Sequence, residues 1–113
     1  MSRRQDRVGD VIRQQISQIL LRDIQDPRIR MASVTTVDMS PDLRHAKVAV
    51  SILGSDRERL AAARALKRAS GYLRRRLAAD LKTLRVIPEL TFELDRGAER
   101  SQYISDLLEG IDA

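Results

Sequence analysis

Ser40-Pro41-Asp42-Leu43-Arg44-His45-Ala46-Lys47-Val48-Ala49-Val50-Ser51-Ile52-Leu53-Gly54-Ser55-Asp56-Arg57-Glu58 holds a turn, a strand and a helix start in succession. Proline at Pro41 suits the second position of a type I turn because its φ is already fixed there, and Asp42 stabilises such loops through its carboxylate. Beyond the turn, Ala46, Val48, Val50 and Ile52 recur at every second residue, the period of a strand with one apolar face. Gly54 ends that strand. Ser55 and Glu58 then have capping-box spacing, in which the hydroxyl and the carboxylate each satisfy an exposed amide of a first helical turn.

Met31 to Met39, rich in Val and Thr, precedes the turn and supplies the other strand of a hairpin. Before it, Val8, Val11, Ile12, Ile16, Ile19 and Leu20 follow the i, i+3, i+4 spacing of an amphipathic helix. That helix is expected over about Arg4 to Asp23. It must end before Asp26-Pro27, because the residue ahead of a proline is pushed out of the helical region. After the capping box, Leu60, Leu66, Leu73, Leu77 and Leu84 carry a helical stripe to about residue 84. Ala69-Ser70-Gly71 interrupts it, and a glycine inside a helix costs about 1 kcal/mol relative to alanine. Gly71 therefore reads either as a kink between two helical segments or as a place where the backbone must approach a ligand closely. Beyond Pro88, Leu90, Phe92 and Leu94 alternate with Thr91, Glu93 and Asp95 as a third strand, and Tyr103, Ile104, Leu107 and Leu108 suggest a closing helix. The expected architecture is α+β, in the order α-β-β-α-(kink)-α-β-α, with a three-stranded sheet and helices on one face. At 113 residues the chain suits one domain across 1–113, with a folded core at about 5–109 and short tails.

Only Phe92, Tyr72 and Tyr103 are aromatic, so the core must be aliphatic, and a multi-base stacking platform is not expected. The absence of cysteine removes disulfides and thiolate metal sites. Met1 to Arg7 has no apolar run after its charges, and no stretch nears the roughly 20 apolar residues that span a bilayer, so the cytoplasm is the expected compartment.

The formal charge is +5, from 21 Lys and Arg against 16 Asp and Glu. The excess is concentrated. Between Arg64 and Arg85 stand Arg64, Lys67, Arg68, Arg74, Arg75, Arg76, Lys82 and Arg85, with Asp80 as the single acid. At roughly 100° per residue, Leu66, Leu73, Leu77 and Leu84 fall on one side, and Arg64, Arg68, Arg75 and Lys82 fall opposite. Such a face neutralises phosphates and releases their counterions, and it is also what an ordinary solvated helix face looks like. Charge alone does not decide between the two.

The stretches Ser40 to Ser51 and Pro88-Glu89-Leu90-Thr91-Phe92-Glu93-Leu94-Asp95 resemble the two signature segments of the ribosome-binding factor A family. Asp26-Pro27-Arg28 and the Ile104-Leu107-Leu108 segment also fall where that family has them, so the resemblance covers nearly the whole chain. It implies a single type II KH-like domain in which Ala69-Ser70-Gly71 matches an Ala-x-Gly kink, standing where standard KH domains carry a Gly-x-x-Gly loop. It further implies association with free small ribosomal subunits, binding to their 16S ribosomal RNA, and help in late maturation, notably in the cold. On that reading Ala69, Ser70 and Gly71 shape the kink, while Arg64, Lys67, Arg68, Arg74, Arg75 and Lys82 contact phosphate. Arg76 projects nearer the apolar side and Arg85 lies past the helix end. The protein is expected to act as a monomer, without cofactor, metal, membrane or small-molecule substrate.

Three other classes compete. Catalysis lacks an inventory: there is no cysteine nucleophile or Gly-rich lysine loop, and the single histidine, His45, stands beside a turn. A helix-turn-helix DNA-binding unit could be built from two helices meeting at Ser70-Gly71, but the leucine stripe keeps its phase across Gly71. A basic face could also dock on an acidic protein.

Overall fold

Helix α1 spans Arg3–Arg22, strand β1 Ala32–Met39, strand β2 His45–Ile52, helix α2 Asp56–Asp80, strand β3 Glu89–Leu94 and strand β4 Gln102–Tyr103. The structure, a computed structural model, describes residues 3–95 and the backbone of 102–103. The expected segment Ile104-Leu107-Leu108 lies outside the described residues.

The sheet runs β1-β2-β3-β4. β1 and β2 pair antiparallel through the hairpin, and β2 and β3 pair parallel with His45 opposite Glu89 and Val50 opposite Leu94. A parallel neighbour requires a long crossover, which is what α2 supplies. The three expected strands are all present. Tyr103, read from the sequence as part of a closing helix, instead pairs through its backbone with Glu93, and Gln102 pairs with Leu94, so that β4 covers the end of an otherwise open β3 edge.

Local chemistry sets each junction. In the hairpin the Leu43 amide donates to the Ser40 carbonyl at 2.9 Å, and Asp42 Oδ1 accepts from the Ser40 hydroxyl at 2.6 Å and the Arg44 amide at 3.1 Å. Leu43 takes a left-handed φ of 61°, a conformation no residue type in the turn announced. Gly54 turns the chain out of β2 with φ 129°, which a side chain would strain. Ser55 then caps α2: its hydroxyl accepts from the Glu58 amide at 3.2 Å, and the Glu58 carboxylate accepts from the Ser55 amide at 3.0 Å. Those bonds hold the Glu58 carboxyl below its ordinary pKa.

The core lies between one face of the sheet and the two helices. α1 contributes Ile12, Ile16 and Ile19, α2 contributes Leu66, Leu73 and Leu77, and the sheet contributes Val48, Val50, Phe92 and Leu94. Burying each leucine contributes roughly 1.5–3 kcal/mol. Gly9 allows α1 to press on β1, since a Cβ there would come within 2.5 Å of the Val37 carbonyl oxygen.

The helical stripe departs from expectation in two ways. α2 is a single helix of 25 residues that runs through Ala69, Ser70 and Gly71, so among the described residues the order is α-β-β-α-β-β. Leu66 before Gly71 and Leu73 and Leu77 after it are all fully buried, and their burial outweighs a glycine penalty of about 1 kcal/mol. α2 also stops earlier than residue 84: its last residue is Asp80, and the Leu81 amide caps it by donating a hydrogen bond to the Leu77 carbonyl at 2.8 Å.

Candidate nucleic-acid interface

The buried leucines of α2 fix which residues turn outward. Arg57, Arg64, Arg68 and Arg75 recur at spacings of seven, four and seven residues, which returns to nearly the same helical face each time. Lys67 flanks that ridge. Lys67, Arg68, Arg75 and Arg57 are exposed, and Arg64 is half-buried. Sequence reading left Arg57 out because it counted the basic segment from Arg64 to Arg85; its place seven residues before Arg64 was the signal.

Gly71 lies in the middle of this face, four residues after Lys67 and four before Arg75. It is exposed, and the nearest atom to a Cβ built there is Arg75 Nη1 at 3.5 Å, ordinary contact distance. Internal packing therefore does not require glycine at this position. Its effect is a notch in the basic ridge, where the helix backbone is open to an approaching group. Beside it the Ser70 hydroxyl donates to the Lys67 carbonyl at 2.8 Å, a back-bond that commonly bends helices. Ala69 is half-buried.

The remaining cations divide by what holds them. Among the described residues no carboxylate forms an ion pair with Lys67, Arg68, Arg75 or Lys82. Arg74 differs from expectation: its Nε donates to the Pro88 carbonyl at 3.2 Å and its Nη2 to the Ile87 carbonyl at 3.3 Å, so it fastens the α2–β3 loop to the helix. Arg76 pairs with Asp23 at 3.1 Å and Asp80 at 3.4 Å, which engages the one acid of the basic segment away from the ridge. Lys82 is exposed beyond the helix end, in the loop and not on the α2 stripe.

The turn after α1 reaches the same region. Asp26 accepts from the Arg28 guanidinium at 2.9 and 2.6 Å and from the Arg28 amide at 2.9 Å. These bonds, with a smaller field from Arg68, lower the Asp26 pKa from 3.8 to about 2. The Tyr72 hydroxyl donates to Asp23 at 3.1 Å, and partial burial first, then that carboxylate, raises its pKa above the ordinary phenol value. Sequence reading missed the Asp23-Tyr72-Arg76 cluster, whose partners stand 49 residues apart. Among the described residues no group of three His, Cys, Asp or Glu could hold a metal ion, and no helix is long and apolar enough to cross a membrane.

This arrangement can neutralise a run of phosphates with sparse base contacts. It is not a helix-turn-helix unit, since α2 contains no turn.

The family model of ribosome-binding factor A matches residues 4–108. A ribosome-binding factor A from Thermomicrobium roseum is 50% identical over 110 residues, covering 97% of this chain and 84% of that protein. The solution structure of a Thermotoga maritima protein described as a putative ribosome binding factor A superposes with a TM-score of 0.73 at 33% identity, over 89% of this chain and 95% of the other. Coordinates of the Thermus thermophilus ribosome binding factor A, fitted as a homology model into a cryo-EM map of its complex with the 30S subunit, match with a TM-score of 0.54 at 28% identity, over 72% and 88%. With its α+β fold, its basic helix and these relatives in agreement, the chain belongs to the ribosome-binding factor A family.

Proposed function

We propose that this protein binds the free small ribosomal subunit through its 16S ribosomal RNA and assists late maturation of that subunit, with its greatest effect in the cold. It acts in the cytoplasm as a monomeric binding factor and not as a catalyst. The observation that carries the reading is the α2 face on which Lys67, Arg68 and Arg75 surround Gly71 without carboxylate partners among the described residues. A Thermus relative seen within a 30S complex supports the choice of polyanion. Phosphate neutralisation by such a face gives affinity that depends on salt and on RNA shape more than on sequence.

Co-sedimentation with purified small subunits tests this directly. The protein should travel with free small subunits, be released by ribonuclease, and resist competition by duplex DNA at equal salt. Ribonuclease-insensitive association would assign the basic face to a protein partner instead. Depletion of the factor should raise the share of small subunits with unprocessed 16S RNA, more at low temperature than at the growth optimum.

A further inference from the structure

Between the turn that follows α1 and the middle of α2 lies an open cleft of about 660 Å³, within the size range of small-ligand sites. Ile24, Pro27, Ala69 and Tyr72 give it apolar walls, and Asp23 and the Asp26–Arg28 pair line it as well. It adjoins the basic ridge, because Tyr72 follows Arg68 by one helical turn and precedes Arg75 by three residues.

Of the aromatic side chains among the described residues, Phe92 is buried and Tyr72 is exposed. The Tyr72 ring is therefore the flat π-surface that RNA on this ridge would meet. It is also held in place: its hydroxyl donates to Asp23 Oδ2 at 3.1 Å, and the Arg76 guanidinium forms an ion pair with the same oxygen at 3.1 Å. Both contacts fall on Oδ2, which leaves Asp23 Oδ1 to accept from a ligand. Asp26 is clamped by Arg28, so the opposite carboxylate is fixed too.

We propose that this cleft receives one unstacked nucleobase of the bound RNA, stacked on Tyr72 with its donor edge toward Asp23, and that guanine is the base it fits. The proposal rests on the RNA-binding reading of the ridge. Ionised carboxylates only accept hydrogen bonds. Guanine presents an N1–H and an exocyclic amino group side by side, so its donor edge can reach Asp23 Oδ1 with either group. Uracil offers a single N–H between two carbonyl oxygens, which the carboxylates would repel. One ring is too little for a platform that reads several bases, but it is enough to hold one.

The test uses the full chain and three RNA hairpins that are identical except for no extruded nucleotide, one extruded guanosine, or one extruded uridine. Fluorescence anisotropy at fixed salt should show about tenfold tighter binding to the extruded guanosine than to the fully paired hairpin, with uridine close to the paired value. Tyr72→Ala should bring the three to parity while keeping affinity for the paired hairpin. Tyr72→Phe should retain most of the preference, and Asp23→Asn should narrow the gap between guanosine and uridine. Should the alanine variant fail to fold, guanosine monophosphate added to unmodified ¹⁵N-labelled protein should shift the amides of residues 23–26, 28 and 69–72. Equal binding of all three hairpins overturns the cleft and leaves the ridge standing, whereas binding to none overturns both. A preference that survives Tyr72→Ala, or shifts confined to other residues, also overturns it.

Discussion

Gly71→Ala should raise stability and lower RNA affinity at once. In the structure Gly71 is an exposed helical residue, and a methyl group added there meets Arg75 Nη1 at 3.5 Å without displacing anything. The gain is the helix-propensity difference of about 0.8–1.0 kcal/mol. For 113 residues, unfolding entropy of roughly 2.1 cal/mol/K per residue converts that into a Tm increase of about 4 °C. The same methyl fills the notch between Lys67 and Arg75. If RNA approaches the backbone there, loss of one such contact costs about 1–2 kcal/mol, a factor of about 5 to 30 in affinity. Thermal melts followed by circular dichroism and RNA titrations on one preparation measure both effects. A lower Tm would mean that the helix breaks at Gly71 after all. A higher Tm with unchanged affinity would mean that the notch is not used.

Gly9→Ala should do the opposite to stability: its Cβ would lie 2.5 Å from the Val37 carbonyl oxygen, and overpacking of about 1–3 kcal/mol should lower Tm by at least about 4 °C. Leu66→Ala, at a fully buried position, should cost about 2–5 kcal/mol in urea unfolding while the folded fraction keeps its RNA affinity. Asp26, lowered from 3.8 to about 2, should titrate near pH 2 by NMR; its contribution to stability is complete above about pH 4, is lost as pH falls toward 2, and should vanish from the pH profile of Asp26→Asn.

The elements legible in the sequence are those that local chemistry dictates. The Ser55-Glu58 box, the Ser40-Leu43 turn and the alternation of Leu90, Phe92 and Leu94 all rest on spacings within a few residues, and each appears in the structure as read. The break at Gly71 was misread because a local penalty of about 1 kcal/mol was weighed without the tertiary burial of Leu66, Leu73 and Leu77. Arg74 and Arg76 illustrate the same limit at the site. Their partners, Pro88 and Ile87 for one and Asp23 for the other, come from remote parts of the chain that no periodicity connects. Lys82 lost its place on the stripe when α2 ended at Asp80, since helix ends are set by capping bonds and not by the apolar pattern. The ridge itself was visible, because which cations face away from a leucine seam is a matter of helical geometry alone.

The most direct test of the account is the salt dependence of RNA binding for Arg68→Ala with Arg75→Ala beside the unaltered protein. If Lys67, Arg68, Arg75 and Lys82 each neutralise one phosphate, log affinity against log salt should fall with a slope of about −3.6, and removing two cations should reduce it to about −1.8. A fourfold rise in salt should then weaken the unaltered protein about 150-fold and the variant about 12-fold, with equal Tm for both. Parallel salt slopes and equal affinities for the two folded proteins would show that the α2 ridge is not where RNA is held.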